Sequence, residues 1–459
     1  MKKGLAAVIL AAGKGTRMKS ALPKVLHPIC GQPMLSYPLE VARAAGFAQL
    51  KVVVGHGAEQ VMGAFDDNSL TWIKQTDQLG TGHALMCAAD SLRGYSGPLL
   101  LHCGDVPLLK VETLQRLQDY HSQQQAAVTV LTAQMPNPQG YGRIIRDGEQ
   151  ILQIIEEKDA TEEQRQVTEI NAGTYLFDAA FVLAALKGLN KNNSQGEYYL
   201  TDIVAAAVAA GKKTRALCVE DPTEVMGIND RCQLAEAEVL MRWHINAELM
   251  FGGVSMIDPT TVYIDNGVEI GVDTMLHPNV HLRGKTRIGK NCTLETGVVV
   301  VDSHVADGTH LKAGSVIEES QVGPQCIIGP MAHLRPGNVL TGHNKIGNFV
   351  EMKKALFGEK SQASHLTYIG DSEVGRNVNF GCGTITCNYD GVNKHKTTVE
   401  DDVFVGSDCQ FVAPVTIGRN SLIAAGTTVT KNVPPDSLAL ARTEQKIIPG
   451  WRLRKQKKS

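Results

Sequence analysis

The chain has 459 residues, a formal net charge of −2 and a hydrophobic share of 43%. That length calls for two domains with sizeable cores, and the near-neutral charge argues against a generic nucleic-acid or membrane surface. Ten cysteines fall without a Cys-x-x-Cys pair, which points away from a zinc ribbon or a secreted disulfide framework and towards reduced thiols in a cytoplasmic protein.

The first residues, MKKGLAAVILAAGKG, have the outline of a signal peptide. Glycines, then Lys14 and Arg17, break the apolar run early, so it reads as a first buried strand. No segment approaches the ~20 apolar residues that span a bilayer. LAAVIL (5–10), KVVVGHG (51–57), GPLLLHCGD (97–105) and AAVTVLTA (126–133) predict strands buried on both faces. PMLSYPLEVARAAG (33–46) and VETLQRLQDYHSQQ (111–124) have helical spacing between them. The alternation predicts an α/β domain with a parallel sheet over residues 1–228, its ligands beyond the C-terminal ends of the strands.

After the first strand comes Gly13-Lys14-Gly15-Thr16-Arg17-Met18. A dinucleotide fingerprint wants a third glycine where Met18 stands, and a Walker loop wants Gly-Lys-Ser/Thr closing a longer loop. Both templates fail, and a Gly-x-Gly alone is also an ordinary tight turn. The longer stretch LAAGKGTRM…LPK, Leu10 to Lys24, resembles the sugar-nucleotidyltransferase pattern L-x-x-G-x-G-x-R-M…P-K. There, backbone N–H groups can approach phosphate oxygens closely, and Arg17 and Lys24 add positive charge. CGDVPL, Cys103 to Leu108, ends an apolar run. An Asp in that position is either a turn or helix cap or a Mg²⁺ ligand. Facing a phosphate loop, Asp105 is read as the ligand.

Residues 229–250 are rich in helix formers, with Leu234, Ala237, Met241, Ile245 and Leu249 on one stripe, a linker helix. The rhythm then changes. Ile264, Ile270, Leu276, Leu282, Ile288, Leu294 and Val300 recur every six residues. After a phase slip Val322, Ile328, Leu334, Leu340 and Ile346 do the same, and Val399, Val405, Phe411, Ile417, Ile423 and Val429 form a third series. A period of six fits a three-faced solenoid, with each aliphatic residue pointing at the axis. Two segments break the beat, ALFGEKSQASHLTY and TITCNYDGVNKHKT, and are expected to be loops. The tail WRLRKQKKS reads as a solvated terminus, with a fold over CoA phosphates as the alternative.

Together QTDQLGTGHA, CGDVPL, YGRI, EEKDA, EINAG, NNSQGEYYLTDI, LRPG, NFVEMKKA, SHLTYIGD, GTITCNYDG, DDVFVGSD and AAGTTVT are far more specific than one loop. From the opening loop to Arg442 the chain resembles the family of bifunctional bacterial N-acetylglucosamine-1-phosphate uridylyltransferase/glucosamine-1-phosphate N-acetyltransferases. The fold this resemblance implies is an α/β Rossmann-like nucleotidyltransferase domain (1–228), the linker helix (229–250) and a left-handed parallel β-helix with a C-terminal tail (251–459).

For the first half, the resemblance implies contacts to the uridine nucleotide from Leu10, Ala11, Ala12 and Gly13, and to its phosphates from Lys24. Gln75, Gly80 and Thr81 match the uracil readers. Cys103, Gly104 and Asp105 also match nucleotide contacts. Gly142, Glu156 and Asn171 match the contacts to the N-acetylglucosamine moiety. Asp105 and Asn229 match two Mg²⁺ ligands, and Arg17 and Lys24 the catalytic cations. Glu156 also reads as a solvated strand end and Asn229 as a helix N-cap.

For the second half, it implies His365 as general base, suited to deprotonating an attacking amine. Arg335, Lys353, Tyr368 and Asn379 match the glucosamine 1-phosphate site. Cys382, Asn388, Tyr389, Ser407, Ala425 and Arg442 match acetyl-CoA contacts. Cys382 stands where the family commonly has alanine. It changes little if the backbone makes the contact, and affects affinity or alkylation if the thiol faces the acetyl group. The implied assembly is a homotrimer with sites between subunits, and the implied product, UDP-N-acetylglucosamine, feeds envelope glycan synthesis. Two competing readings are a single-site nucleotidyltransferase with an architectural solenoid, and a non-catalytic nucleotide-sensing subunit. Arg17, Lys24 and Asp105 count against the latter.

Overall fold

A computed structural model describes residues 4–456, which form two compact units divided between Met241 and Arg242. The division falls within one long helix, Arg231–Phe251.

The first unit is built on nine strands: β1 Leu5–Ala11, β2 Phe47–Val54, β3 Leu70–Lys74, β4 Pro98–Cys103, β5 Val128–Gln134, β6 Arg143–Asp147, β7 Gln150–Ile155, β8 Glu169–Asp178 and β9 Thr214–Cys218. They lie in the order β3-β2-β1-β4-β8-β5-β9-β7-β6. β1 pairs in parallel with β2 and β4, as expected of strands buried on both faces. The expected parallel sheet is mixed, however. β8 runs antiparallel between β4 and β5, and β6 and β7 form an antiparallel hairpin. These strands carry polar residues such as Arg146, Gln153, Glu169 and Asn171, so they lack the apolar run that marks a buried strand in the sequence. Helices such as Ser36–Ala44 and Val111–Gln124 cover the sheet. β1 and β4 end side by side, with Gly104 N–H donating to Leu10 O at 2.9 Å. The opening loop and Asp105 are thereby neighbours.

The second unit is a β-solenoid from Ser255 to Ala439. Each short strand pairs in parallel with the strand three positions on, so one coil has three faces. The predicted aliphatic residues point to the axis: Leu282, Val300, Ile328, Leu334, Phe411 and Ile417 are all buried. Ile245 and Leu249 of the long helix pack on the same core.

The phase slip has a simple cause. Val300 to Val305 and Ile317 to Val322 are each five-residue steps between buried inward side chains, so the six-residue beat returns two residues early. The same five-residue step explains ALFGEKSQASHLTY, whose expected loop is absent. Its residues continue two long strands, Lys345–Phe357 and Gln362–Val374, with Phe357, Ala363 and Ile369 buried on the axis. His365 therefore sits on the coil itself. TITCNYDGVNKHKT does leave the coil between strands Ile385–Cys387 and Thr397–Val399, closed by a Tyr389–Lys394 bridge. In the tail, Trp451–Gln456 is a short helix. The final residues 457–459, part of the expected solvated terminus, lie outside the described residues.

Candidate functional sites

In the first unit two cavities open at the C-terminal ends of β1 and β4. One, of 420 Å³, is lined by Leu10, Ala12, Gly13, Gln75, Gly80 and Thr81, among others. The other, of 220 Å³, is lined by Gly142, Glu156, Asn171, Tyr175, Thr201 and Asn229, among others. Both include Leu10, Thr81, Cys103 and Asp105. The residues expected to hold nucleotide and those expected to hold sugar thus face two chambers meeting at Asp105.

At that junction the Lys24 ammonium donates to Asp105 Oδ2 and, at 3.2 Å, to Asn229 Oδ1. Asn229 precedes the long helix, its N–H held by Gln233 Oε1 at 2.8 Å. Ile228 N–H donates to Asp105 O at 2.9 Å, fixing the two candidate metal ligands together.

In the nucleotide chamber, Gly80 has φ of 105°, and a Cβ there would come within 2.5 Å of Tyr198 O. Only glycine fits that turn. The sugar chamber is ordered from within. Asn171 donates from Nδ2 to Tyr175 Oη at 2.7 Å and accepts from Gly173 N–H at 3.1 Å. Thr201 Oγ1 donates to Glu156 Oε1 at 3.2 Å, while burial raises the Glu156 carboxyl above its ordinary range. Burial, with the charge of Asp105, pushes the Cys103 thiol up to about 12. A protonated thiol there is a weak donor, and it contacts Gly173 O at 3.4 Å.

Not every expected residue reaches the chambers. Arg17 lies exposed on the short turn Thr16–Met18, and Ala11, which is buried, and Gly104 line neither chamber. Lys14 and Gln78 line the nucleotide chamber instead, and Tyr141 the sugar chamber. All three lie within recognisable stretches, LAAGKGTRM, QTDQLGTGHA and YGRI, at positions not singled out there.

On the solenoid the expected residues sort into two columns. Asn348 pairs with His365, and Ala363, Phe380, Val405 and Ile423 stack in register. Two residues beyond these last four stand His365, Cys382, Ser407 and Ala425, one above another at the same corner. His365 Nδ1 lies 3.0 Å from Asn348 Oδ1. An amide oxygen only accepts, so Nδ1 carries the proton and the neutral ring's lone pair is on Nε2. The second column comes one face later. Leu334, Met352 and Ile369 stack inward, each followed by Arg335, Lys353 and Gly370. Gly370 leaves room for the Tyr368 ring, since a Cβ there would sit 2.5 Å from Tyr368 Oη.

Glu351 accepts from Arg335 at 2.9 Å and holds its guanidinium above its ordinary value. Lys394, on the excursion that leaves the coil, lies against Lys353 and lowers its ammonium, with Arg335 adding to the effect and Asp371 opposing it. Arg335, Lys353 and Lys394 thus stand together beside Glu351 and Asp371, and cations so grouped can receive a phosphate. Asn388 is held by Asp371 Oδ2, Asn379 lies on the preceding face, Tyr389 is exposed on the excursion, and Arg442 is exposed beyond the last strand. Sequence reading missed Lys394 and Asn348, which act only through partners on neighbouring coils. Beside His365 runs an exposed corner of Met331, Phe349 and Leu366, with φ of 53°, 56° and 35°.

Residues 7–171 match the MobA-like NTP transferase domain, 258–365 the GMPPB C-terminal domain and 396–431 the bacterial transferase hexapeptide (six repeats). The Bifunctional protein GlmU of Syntrophotalea carbinolica is 60% identical over 98% of this chain and 97% of its own. That of Geotalea uraniireducens is 56% identical over 98% and 99%, and that of Halalkalibacterium halodurans 46% over 96% of both. The chain belongs to the GlmU family.

GlmU membership with an NTP transferase domain brings a nucleotide substrate and a divalent metal. The residues present fit such an ion. Asp105 and Asn229 offer hard oxygen donors, and the Lys24 ammonium between them shows that the pair accepts a cation. Among the described residues no cluster of three or more His, Cys, Asp or Glu forms a cage. That suits a metal bound by few protein groups and completed by phosphates. Among the described residues no helix is long and apolar enough to cross a membrane.

Proposed function

We propose that the chain acetylates glucosamine 1-phosphate on its solenoid and then couples the product to UTP in its α/β unit, yielding UDP-N-acetylglucosamine and pyrophosphate. The chain is a bifunctional enzyme with uridylyltransferase and acetyltransferase activities. The observation that carries the detailed reading is the pair of chambers sharing Asp105, one sized for a nucleotide and one for a sugar.

In the first unit, Gln75, Gly80 and Thr81 hold uracil, and Gly142, Glu156 and Asn171 hold the N-acetylated sugar. The two chambers set the sugar phosphate oxygen in line with the α-phosphorus of UTP, and pyrophosphate leaves on the far side. Lys24 stays beside the transferring phosphoryl group. Mg²⁺ on Asp105 and Asn229 would neutralise phosphate charge. In the solenoid, Arg335, Lys353 and Lys394 hold the phosphate of glucosamine 1-phosphate, with Tyr368 and Asn379 beside the sugar. His365 Nε2 takes a proton as the amine attacks the thioester carbonyl, and the imidazolium returns it to the departing CoA thiolate. Cys382, Ser407 and Ala425 line the corner where the CoA arm lies, and Asn388, Tyr389 and Arg442 belong to the same site.

The hexapeptide repeats point to oligomerisation. A homotrimer is the assembly this reading requires, and the exposed Met331–Phe349–Leu366 corner beside His365 supports it. Both co-substrates are cytoplasmic metabolites, and the enzyme belongs with them.

The test crosses the two sites. His365→Ala lowers acetyl transfer by ~10²–10⁴-fold and leaves uridylyl transfer near wild type. Asp105→Asn does the reverse. UDP-N-acetylglucosamine forms only with glucosamine 1-phosphate, acetyl-CoA, UTP and Mg²⁺ all present. Both activities falling together in either folded variant refutes the two-site reading.

A further inference from the structure

Gln75 follows β3, is 3% exposed and lines the nucleotide chamber. Its Nε2 lies 3.1 Å from Gly80 O and 3.1 Å from His83 Nδ1. Gly80 O can only accept, so the amide group facing it is the NH₂. The second N–H then points at the imidazole. An amide nitrogen has no lone pair to offer, so His83 Nδ1 is unprotonated and the ring proton sits on Nε2, 3.9 Å from Cys87 Sγ.

Both Gln75 N–H groups are therefore spent within the protein, and no described residue donates to its Oε1. The chamber meets an acceptor and no donor from this amide. The imidazole is itself held, on the helix Thr81–Ala88, with its ring 6.2 Å from the Tyr198 ring at 26°. Lys191 Nζ lies over the other partner of that stack, 4.8 Å from the Tyr198 centroid.

We infer that His83 is a positioning residue that sets base selectivity: its Nδ1 lone pair fixes the Gln75 amide so that only Oε1 faces the nucleobase. An acceptor there matches the N3–H of uracil and opposes cytosine, whose N3 is itself an acceptor. The inference rests on the uridylyltransferase reading of this unit. Without an acceptor at the His83 position, the second N–H turns toward the chamber and the amide serves either pyrimidine.

The experiment measures kcat/KM for UTP and CTP with N-acetylglucosamine 1-phosphate. His83→Leu removes the acceptor, whereas His83→Asn places an amide oxygen where Nδ1 stands. His83→Leu is expected to lower the UTP/CTP ratio about tenfold, largely through KM for UTP, with KM for the sugar phosphate unchanged within about twofold. His83→Asn restores most of the ratio. If the leucine variant does not fold, His83→Gln replaces it, because its amide reaches the Nε2 position and leaves the Nδ1 position empty. A ratio unchanged in His83→Leu, or as low in His83→Asn, overturns the inference. A folded wild type that turns over another nucleotide but not UTP overturns the underlying reading, and the inference with it.

Discussion

At the scale of single residues, Lys353 shows how a neighbour changes what a side chain does. Lys394 and Arg335 lower its ammonium, so Lys353 loses its charge at a lower alkaline pH than an ordinary lysine. Binding of a phosphate dianion fails as that charge is lost. Lys394→Ala has two expected effects on kcat/KM for glucosamine 1-phosphate. It falls about three- to tenfold near neutrality. Its alkaline limb moves to higher pH, because Lys353 is released toward its ordinary value. A profile from about pH 7 to 10 reads both, and a limb that moves down contradicts the assignment. Gln75, Asp105 and His365 were legible because each stands in a recognisable stretch at a position with a chemistry of its own. His83 and Asn348 stand in such stretches too, QTDQLGTGHA and NFVEMKKA, but were not singled out, because they and Lys394 matter only through a lone pair or charge aimed at a partner that the fold supplies.

At the scale of elements, the solenoid was legible because one inward side chain per face is a requirement of the coil. Leu334, buried on the axis, is a fair measure of what that stack contributes. Leu334→Ala is expected to destabilise the solenoid by ~2–5 kcal/mol through lost burial and a residual cavity, read by denaturant titration. Coils contact mainly their neighbours, so uridylyl transfer in the other unit keeps its KM, and a lost KM there refutes that independence. A count of six could not tell a five-residue step from a loop, which is why the strand bearing His365 read as an excursion. The same limit applied to the sheet. β1, β2, β4 and β5 announce themselves as apolar runs, while β6, β7 and β8 mix polar and apolar residues; Asn171 and Tyr175 of β8, with Gly142 before β6 and Glu156 after β7, line the second chamber.

At the scale of the whole molecule, the corner of Met331, Phe349 and Leu366 exposes 54%, 61% and 60% of each residue, all at positive φ. Bulky apolar residues are costly in that backbone region and in water, and burial against a second copy offsets both. Phe349→Asp is expected to yield a species of lower mass by sedimentation. Acetyl transfer falls ~10²-fold with it, and uridylyl transfer stays within about twofold. An oligomer of unchanged mass at assay concentration refutes that use of the corner. The sequence by itself determined the two rhythms, the glycine loop, Asp105 and the solenoid axis, because periodicity and backbone demands are local properties of a chain. Only the tertiary structure decided that two chambers meet at Asp105, that three cations converge beside Tyr368, and that His83 orients Gln75. Those facts depend on residues far apart in the chain arriving within a hydrogen bond of each other, and no spacing in the sequence encodes that distance.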